Sequence, residues 1–151
     1  MGNLFRTILF ATDFSGPSRA AQQYAIQLAD KLGATLHAFH AVSEDVFVPA
    51  PDLAQRWWQA ETERARKQLS ADLGTAKVVQ EVRQGNAIQE ILKYADEQHV
   101  DLIVIGTHGR TGLSRMLLGS VAEKVVRLSK CPVMTIPPID HQFVMDKTST
   151  A

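Results

Sequence analysis

One cysteine, Cys131, is the whole thiol complement of this 151-residue chain. No intramolecular disulfide can form, and an intracellular setting is expected. Cys131 precedes Pro132 and an apolar run, so it reads as a small core or near-core residue; no second cysteine could resolve a redox step. Net charge is lacking as well. Sixteen basic residues offset sixteen acidic ones, leaving no field to draw the chain to nucleic acid or an anionic membrane. No apolar run approaches the roughly 20 residues needed to span a bilayer. Asn3 and Arg6 lead straight into a strand-like run, which does not make a signal peptide. Met1-Gly2 opens as a myristoylation site does, but Arg6 stands where Ser or Thr is required. The expected location is cytoplasmic, with neither nucleic-acid nor membrane partners. Internal repeats and low-complexity tracts are also missing. A hydrophobic fraction of 45% and a charged fraction of 21% fit one globular domain with one sizeable core, placed at residues 4–138 with a polar tail over 139–151.

What is present alternates between two periodicities. Thr7 to Ala11 is a short β-rich run suited to a strand covered on both faces. Ser15-Gly16-Pro17-Ser18 is a helix-start signal; Ala21, Tyr24, Ala25, Leu28, Ala29 and Leu32 follow at helical spacing, and Gly33 ends the helix. Thr35–Val42 reads as a second strand, and 43–52, with Pro49 and Pro51, as a loop. A long polar helix is expected from about Asp52 to Leu73, its thin apolar stripe made by Leu53, Trp57, Leu69 and Leu73. Lys77–Arg83 alternates as an edge strand would. Gly85-Asn86 breaks the chain before a third helix marked by Ile88, Ile91, Leu92 and Ala95. Leu102–Ile105 is a wholly apolar strand. Val121, Val125 and Leu128 mark a fourth helix, and Val133–Ile136 a fifth strand ended by Pro137-Pro138.

Strand–helix alternation predicts an α/β domain of three layers, a parallel sheet with helices on both faces. The two wholly apolar strands belong at the centre and the weaker third and fifth at the edges. The order 3-2-1-4-5 satisfies both conditions. Ligands of such sheets bind beyond the carboxyl ends of the strands, where the order reverses. That reversal brings Asp13 and the segment after Ile105 to one crevice.

Only that segment speaks of a ligand. Gly106 to Ser120 is no Walker A motif, because no Gly-Lys-Ser/Thr occurs in it, and it is not Gly-x-Gly-x-x-Gly. It reads Gly-x2-Gly-x9-Gly-Ser. Gly106 and Gly109 would let main chain approach a ligand, Gly119-Ser120 would present the N–H groups of Ser120 and Val121 at a helix start, and Arg110 and Arg115 could meet phosphate oxygens. A flexible, glycine-capped connection explains the spacing equally well. Asp13 taken alone reads first as a turn residue. His108 has no Ser or Cys nucleophile beside it and reads as structural. His37 and His40, three apart in a strand, point to opposite faces and are poorly placed to share a metal. Trp57-Trp58 reads as anchoring the long helix or covering the cleft, with core packing favoured over a partner surface.

These residues resemble the universal stress protein family, in its ATP-binding branch. The resemblance runs from Thr7 to Pro137. It rests on Ile8-Leu9 with Asp13, Leu36-His37, His40-Ala41-Val42, Gly106-Thr107-His108-Gly109-Arg110, Leu118-Gly119-Ser120-Val121-Ala122-Glu123 and Cys131-Pro132-Val133. It implies an adenine nucleotide alpha hydrolase-like fold. It implies a nucleotide site in which Ala11, Thr12 and Asp13 edge the adenosine, Ala41 meets adenine through its backbone, and Ile105 lines the base or ribose. Gly106, Thr107, Gly109, Arg110, Gly119, Ser120 and Val121 would hold ribose and phosphates. Ala11 stands where proline or another apolar residue is frequent and Ala41 where valine is, so the adenine slot is looser than usual. ATP, or ADP or AMP in its place, is the implied cofactor, with Mg²⁺ arriving on the triphosphate.

The expected function is ATP-dependent regulation, with occupancy biasing a homodimer or its partner contacts. An ATP hydrolase or phosphotransferase using Asp13 and Ser120 is the alternative. It is disfavoured because neither a Walker lysine with its carboxylate nor a water-positioning group stands out. A phosphoacceptor receiver domain is excluded: it needs an acidic residue after the third strand and a lysine after the fifth, where Gln84-Gly85 and Pro137-Pro138 stand. The apolar fifth strand, at an edge, is expected to pair with its counterpart in a homodimer.

Overall fold

A computed structural model describes residues 2–47, 49–74, 77–108 and 118–138. The order of elements is β1 (Thr7–Ala11), α1 (Gly16–Leu32), β2 (Thr35–Val42), α2 (Pro51–Leu73), β3 (Val78–Gln84), α3 (Ala87–Glu97), β4 (Leu102–Gly106), α4 (Ser120–Leu128) and β5 (Val133–Ile136). The five strands form one parallel sheet in the order β3-β2-β1-β4-β5, as the distribution of apolar residues requires.

Alternation along the strands divides the core in two. Ile8, Phe10, Leu36, Ala38, Leu102 and Val104 pack with Ala21, Ala25 and Leu69 of α1 and α2. Leu9, Ala11, Phe39, Ile103 and Ile105 pack on the other face with Ile91, Tyr94, Ala122 and Val125 of α3 and α4. Both faces of β1 and β4 are covered, which is why those strands are apolar without interruption. The small residues of α1 let it lie close to the sheet. Ser15 caps its start, its hydroxyl accepting from Ser18 N–H at 3.4 Å. Gly33 ends it in the left-handed conformation at φ 63°, where glycine carries no Cβ penalty.

Some boundaries and packing roles differ from expectation. Helix α2 starts at Pro51 rather than Asp52, because proline fits the first helical position, where no N–H is needed. Strand β3 is shifted by one residue, to 78–84. Leu53, assigned to the apolar stripe of α2, is 51% exposed; Leu69 and Leu73 are buried as expected, and Ala65 joins them. Trp57 and Trp58 are half-buried against the core, rings edge to face at 4.8 Å. Cys131 is half-buried against the second cluster. Among the described residues no helix is long and apolar enough to cross a membrane.

His37 and His40 do face opposite sides of β2. His37 meets the Tyr94 hydroxyl through Nδ1 at 2.7 Å, and Arg83 lies over the Tyr94 ring, 4.8 Å from its centroid. Burial holds the imidazole of His37 below its ordinary value of 6.5, with Glu81 opposing the shift. The folded protein therefore binds fewer protons here than the unfolded chain, and stability falls as pH drops below about 6.5. Replacing both hydrogen-bonding partners avoids leaving one orphaned. His37→Phe with Tyr94→Phe is expected to flatten the fall in unfolding free energy between pH 7 and pH 5, by at most about 1.4 kcal/mol per pH unit. Urea titrations across that range check it.

Candidate functional site

Strand order reverses beside β1, and the carboxyl end of the sheet opens there. Strand β1 pairs with β2 up to Ala11–Phe39 and with β4 up to Ala11–Ile105. Past Ala11 the chain turns into α1, while β2 continues to Val42 and β4 to Gly106. A cavity of about 250 Å³ fills the space so created. Its floor is apolar, from Ala11, Phe39, Ile91 and Ile105; its rim carries Asp13, Ala41, Thr107 and the start of α4. A wider crevice of about 710 Å³ adjoins it, sharing Asp13, His40, Ala41 and Ser120 and walled by Trp57, Glu61 and Arg64 of α2.

Every residue expected to hold a ligand that falls within the described part lines the first cavity: Ala11, Thr12, Asp13, Ala41, Ile105, Gly106, Thr107, Gly119, Ser120 and Val121. Gly109, Arg110 and Arg115 lie outside the described residues. The sequence reading did not nominate Ser18, Phe39, His40, Ala87, Ile91, His108 or Ala122, which line it too. His40 adjoins a nominated residue and Ser18 belongs to the helix-start signal, so both could have been found. Ala87 is reached only through the topology, which starts α3 at the same sheet end as α1 and α4.

Local hydrogen bonds fix the turn after β1. Asp13 Oδ1 accepts from the Ser18 hydroxyl at 2.7 Å and from Ser15 N–H at 3.0 Å. Its carboxylate thus does the work of a turn residue and also borders the cavity. Phe14 sits in the left-handed region, at φ 64°, a conformation costing about 1 kcal/mol or more outside glycine. Across the opening, Thr107 N–H donates to Ile136 O at 2.9 Å and Gly119 N–H to Thr107 O at 2.6 Å. The second bond ties the end of β4 to the start of α4. Gly119 caps that helix without a side-chain bond, leaving the first-turn N–H groups of Ser120 and Val121 at the positive end of the helix dipole. His108 is buried, its Nδ1 2.7 Å from Thr107 Oγ1.

The main chain of β2 adds a reading edge. Thr35 N–H donates to Arg6 O and Phe39 O accepts from Thr12 N–H, so odd-numbered residues of β2 turn their peptide groups to β1; Val42 O accepts from Gly85 N–H on the β3 side. Parallel strands alternate in this way. Ala41 therefore directs both N–H and C=O to the β1 side, past the last β1–β2 pair. Among the described residues neither group has a main-chain partner there. A donor and an acceptor beside an apolar slot suit the edge of a heteroaromatic base. Among the described residues no group of three or more His, Cys, Asp or Glu could hold a metal ion.

A model of the universal stress protein family matches residues 4–137. The chain belongs to the universal stress protein family. Universal stress protein MJ0531 of Methanocaldococcus jannaschii is 36% identical over 141 residues, covering 89% of this chain and 83% of that one. Among solved structures, that of protein MJ0577, from the same organism, superposes with a TM-score of 0.83 at 26% identity, covering 91% of this chain and 99% of that one. A universal stress protein solved in complex with cAMP gives a TM-score of 0.58 at 29% identity, over 87% of this chain and 96% of that one.

Gly106 has a packing role that its place in a glycine pattern does not reveal. A Cβ there would come within 3.2 Å of Pro17 O and 3.5 Å of Ser18 N, both main-chain atoms at the start of α1. The missing side chain lets α1 seat beside β4. Gly106→Ala is therefore expected to lower stability by about 1–2 kcal/mol, measurable as a lower urea midpoint with an unchanged slope.

Proposed function

We propose that this universal stress protein binds an adenine nucleotide in the cavity beyond β1 and acts as a nucleotide-dependent regulator. The observation that carries the reading is the Ala41 main chain, facing an apolar slot at the sheet's reversal. Adenine carries an exocyclic amine that donates and ring nitrogens that accept, matching Ala41 C=O and N–H. Ala11, Phe39, Ile91 and Ile105 would cover its faces, and Asp13, an acceptor, suits a hydroxyl or amine at the rim. Ribose and phosphates would then run toward Thr107, Gly119 and the N–H groups of Ser120 and Val121, where the dipole of α4 favours negative charge. Gly109 and Arg110 belong to the same phosphate end by the spacing of the motif, and Mg²⁺ would be carried in on a triphosphate. Support comes from the related universal stress protein solved with cAMP, itself an adenine nucleotide.

We infer regulation rather than turnover from the composition of the motif. Main-chain donors and small residues bind; catalysis of phosphoryl transfer also needs a group that positions the attacking nucleophile, and the motif supplies none in the familiar places. We take residues 4–138 as the working domain and the cytoplasm as its compartment. Calorimetry with Mg·ATP tests the site. Wild type is expected to bind, and Gly119→Ala and Gly109→Ala to bind at least about tenfold more weakly, a loss of about 1.4 kcal/mol. Equal affinity in all three proteins would remove the assignment.

The regulated event is proposed to be association along β5. That strand forms the sheet's edge, and Met134 is 37% exposed, with Val126 and Leu128 of α4 more so. Open strand edges with apolar side chains recruit other strands. Thr107 N–H bonds directly to Ile136 O, so a ligand that orders Thr107 acts on the last residue of β5. Light scattering at micromolar concentration is expected to give the mass of a dimer; a monomer would eliminate this surface.

A further inference from the structure

We infer that His40 is the positioning residue that keeps Ala41 open to the base; this rests on the nucleotide reading above. The parallel ladder shows what the next bonds would be. After Thr12 N–H to Phe39 O, continued pairing would send Ala41 N–H to Thr12 O and Phe14 N–H to Ala41 O. Neither bond forms. Thr12 O accepts instead from His40 Nδ1 at 2.7 Å, and Phe14 N–H donates to Thr12 Oγ1 at 3.0 Å. Two side chains thus take the two main-chain groups that would otherwise close over Ala41.

The geometry around His40 fits that role. Because Thr12 O can only accept, Nδ1 carries the proton, which fixes the tautomer. The imidazole packs on the Phe14 ring at a centroid distance of 4.3 Å, bracing the one residue of the turn held in the left-handed region. Its neighbour Asp13 is tied to Ser15 and Ser18. His40, 9% exposed, therefore grips both ends of the Thr12–Phe14 turn and holds it away from Ala41. A leucine there would keep the bulk and lose the hydrogen bond, whereas an asparagine amide can place a donor where Nδ1 stands.

The test combines amide exchange with calorimetry on the full chain. In nucleotide-free His40→Leu, the Ala41 amide is expected to exchange at least about tenfold more slowly, because Thr12 O becomes its acceptor. ATP affinity should fall roughly tenfold, the worth of about one hydrogen bond. His40→Asn should restore both to near wild type, a rescue that general loss of packing would not give. Unchanged Ala41 exchange in His40→Leu overturns the inference whatever the affinity does. Failure of wild type to bind ATP would instead strike the nucleotide reading, with exchange still deciding the role of His40. Should His40→Leu not fold, Thr12→Val removes the hydroxyl that holds Phe14 N–H. Weaker ATP binding by that variant supports the inference, and unchanged binding overturns it.

Discussion

Strand β1 pairs on both edges through Ala11 and then leaves the sheet, while its neighbours β2 and β4 run on. Peptide groups that a longer β1 would have satisfied then face a gap. Buried main-chain donors and acceptors are costly to leave without partners. Two solutions exist: satisfy them locally, or keep them for a ligand. The turn after β1 uses the first. Its groups bond to Thr12, Asp13, Ser18 and His40 side chains, which is why that short stretch is rich in polar residues. In the proposed reading, Ala41, on the strand that runs on, represents the second.

The same ending decides how the site is coupled to the rest of the sheet. The cavity lies over the centre, so its walls come from elements far apart in sequence: β1 and β2 on one side, β4 and the start of α4 on the other. A ligand held by both would brace elements that are otherwise joined by β1 and by the helices packed on the two faces. Ligand binding to the native state adds stability in proportion to the logarithm of its concentration over Kd. In the proposed reading, part of that stabilisation falls on Thr107 and, through one hydrogen bond, on the edge strand β5.

The fold was legible because its signals are about burial. Uninterrupted apolar runs at Ile8–Ala11 and Leu102–Ile105 could only be strands covered on both faces, and Val78, Val79 and Val82 alternate as an edge strand does. The order of strands followed from placing those runs. Reading α2 was harder, since a polar helix with few apolar residues does not say which of them turn inward; Leu53 faces solvent while Ala65 packs. Gly106, Gly119 and Ser120, singled out by spacing, all line the cavity, but for Gly106 the packing reason is the seat of α1. His40 was within reach as the neighbour of Ala41, but the role inferred for it rests on which hydrogen bond it prevents, a property of register that no single-residue pattern carries.

A site read through main chain and small residues tolerates change in ways that a site of charged side chains does not. Alanine at positions 11 and 41 alters only the width of the slot, since the groups presented by Ala41 are those of any residue but proline. In the proposed reading, selectivity for the base is a matter of register, preserved wherever β1 stops at Ala11 and something takes Thr12 O. The phosphate end obeys different physics. Helix N-termini favour anions without distinguishing closely among them, so in the proposed reading the start of α4 alone would not separate triphosphate, monophosphate and cyclic phosphate. In the proposed reading, a base recognised through main-chain register and phosphates held by a helix dipole that favours negative charge would let one scaffold report different nucleotide states.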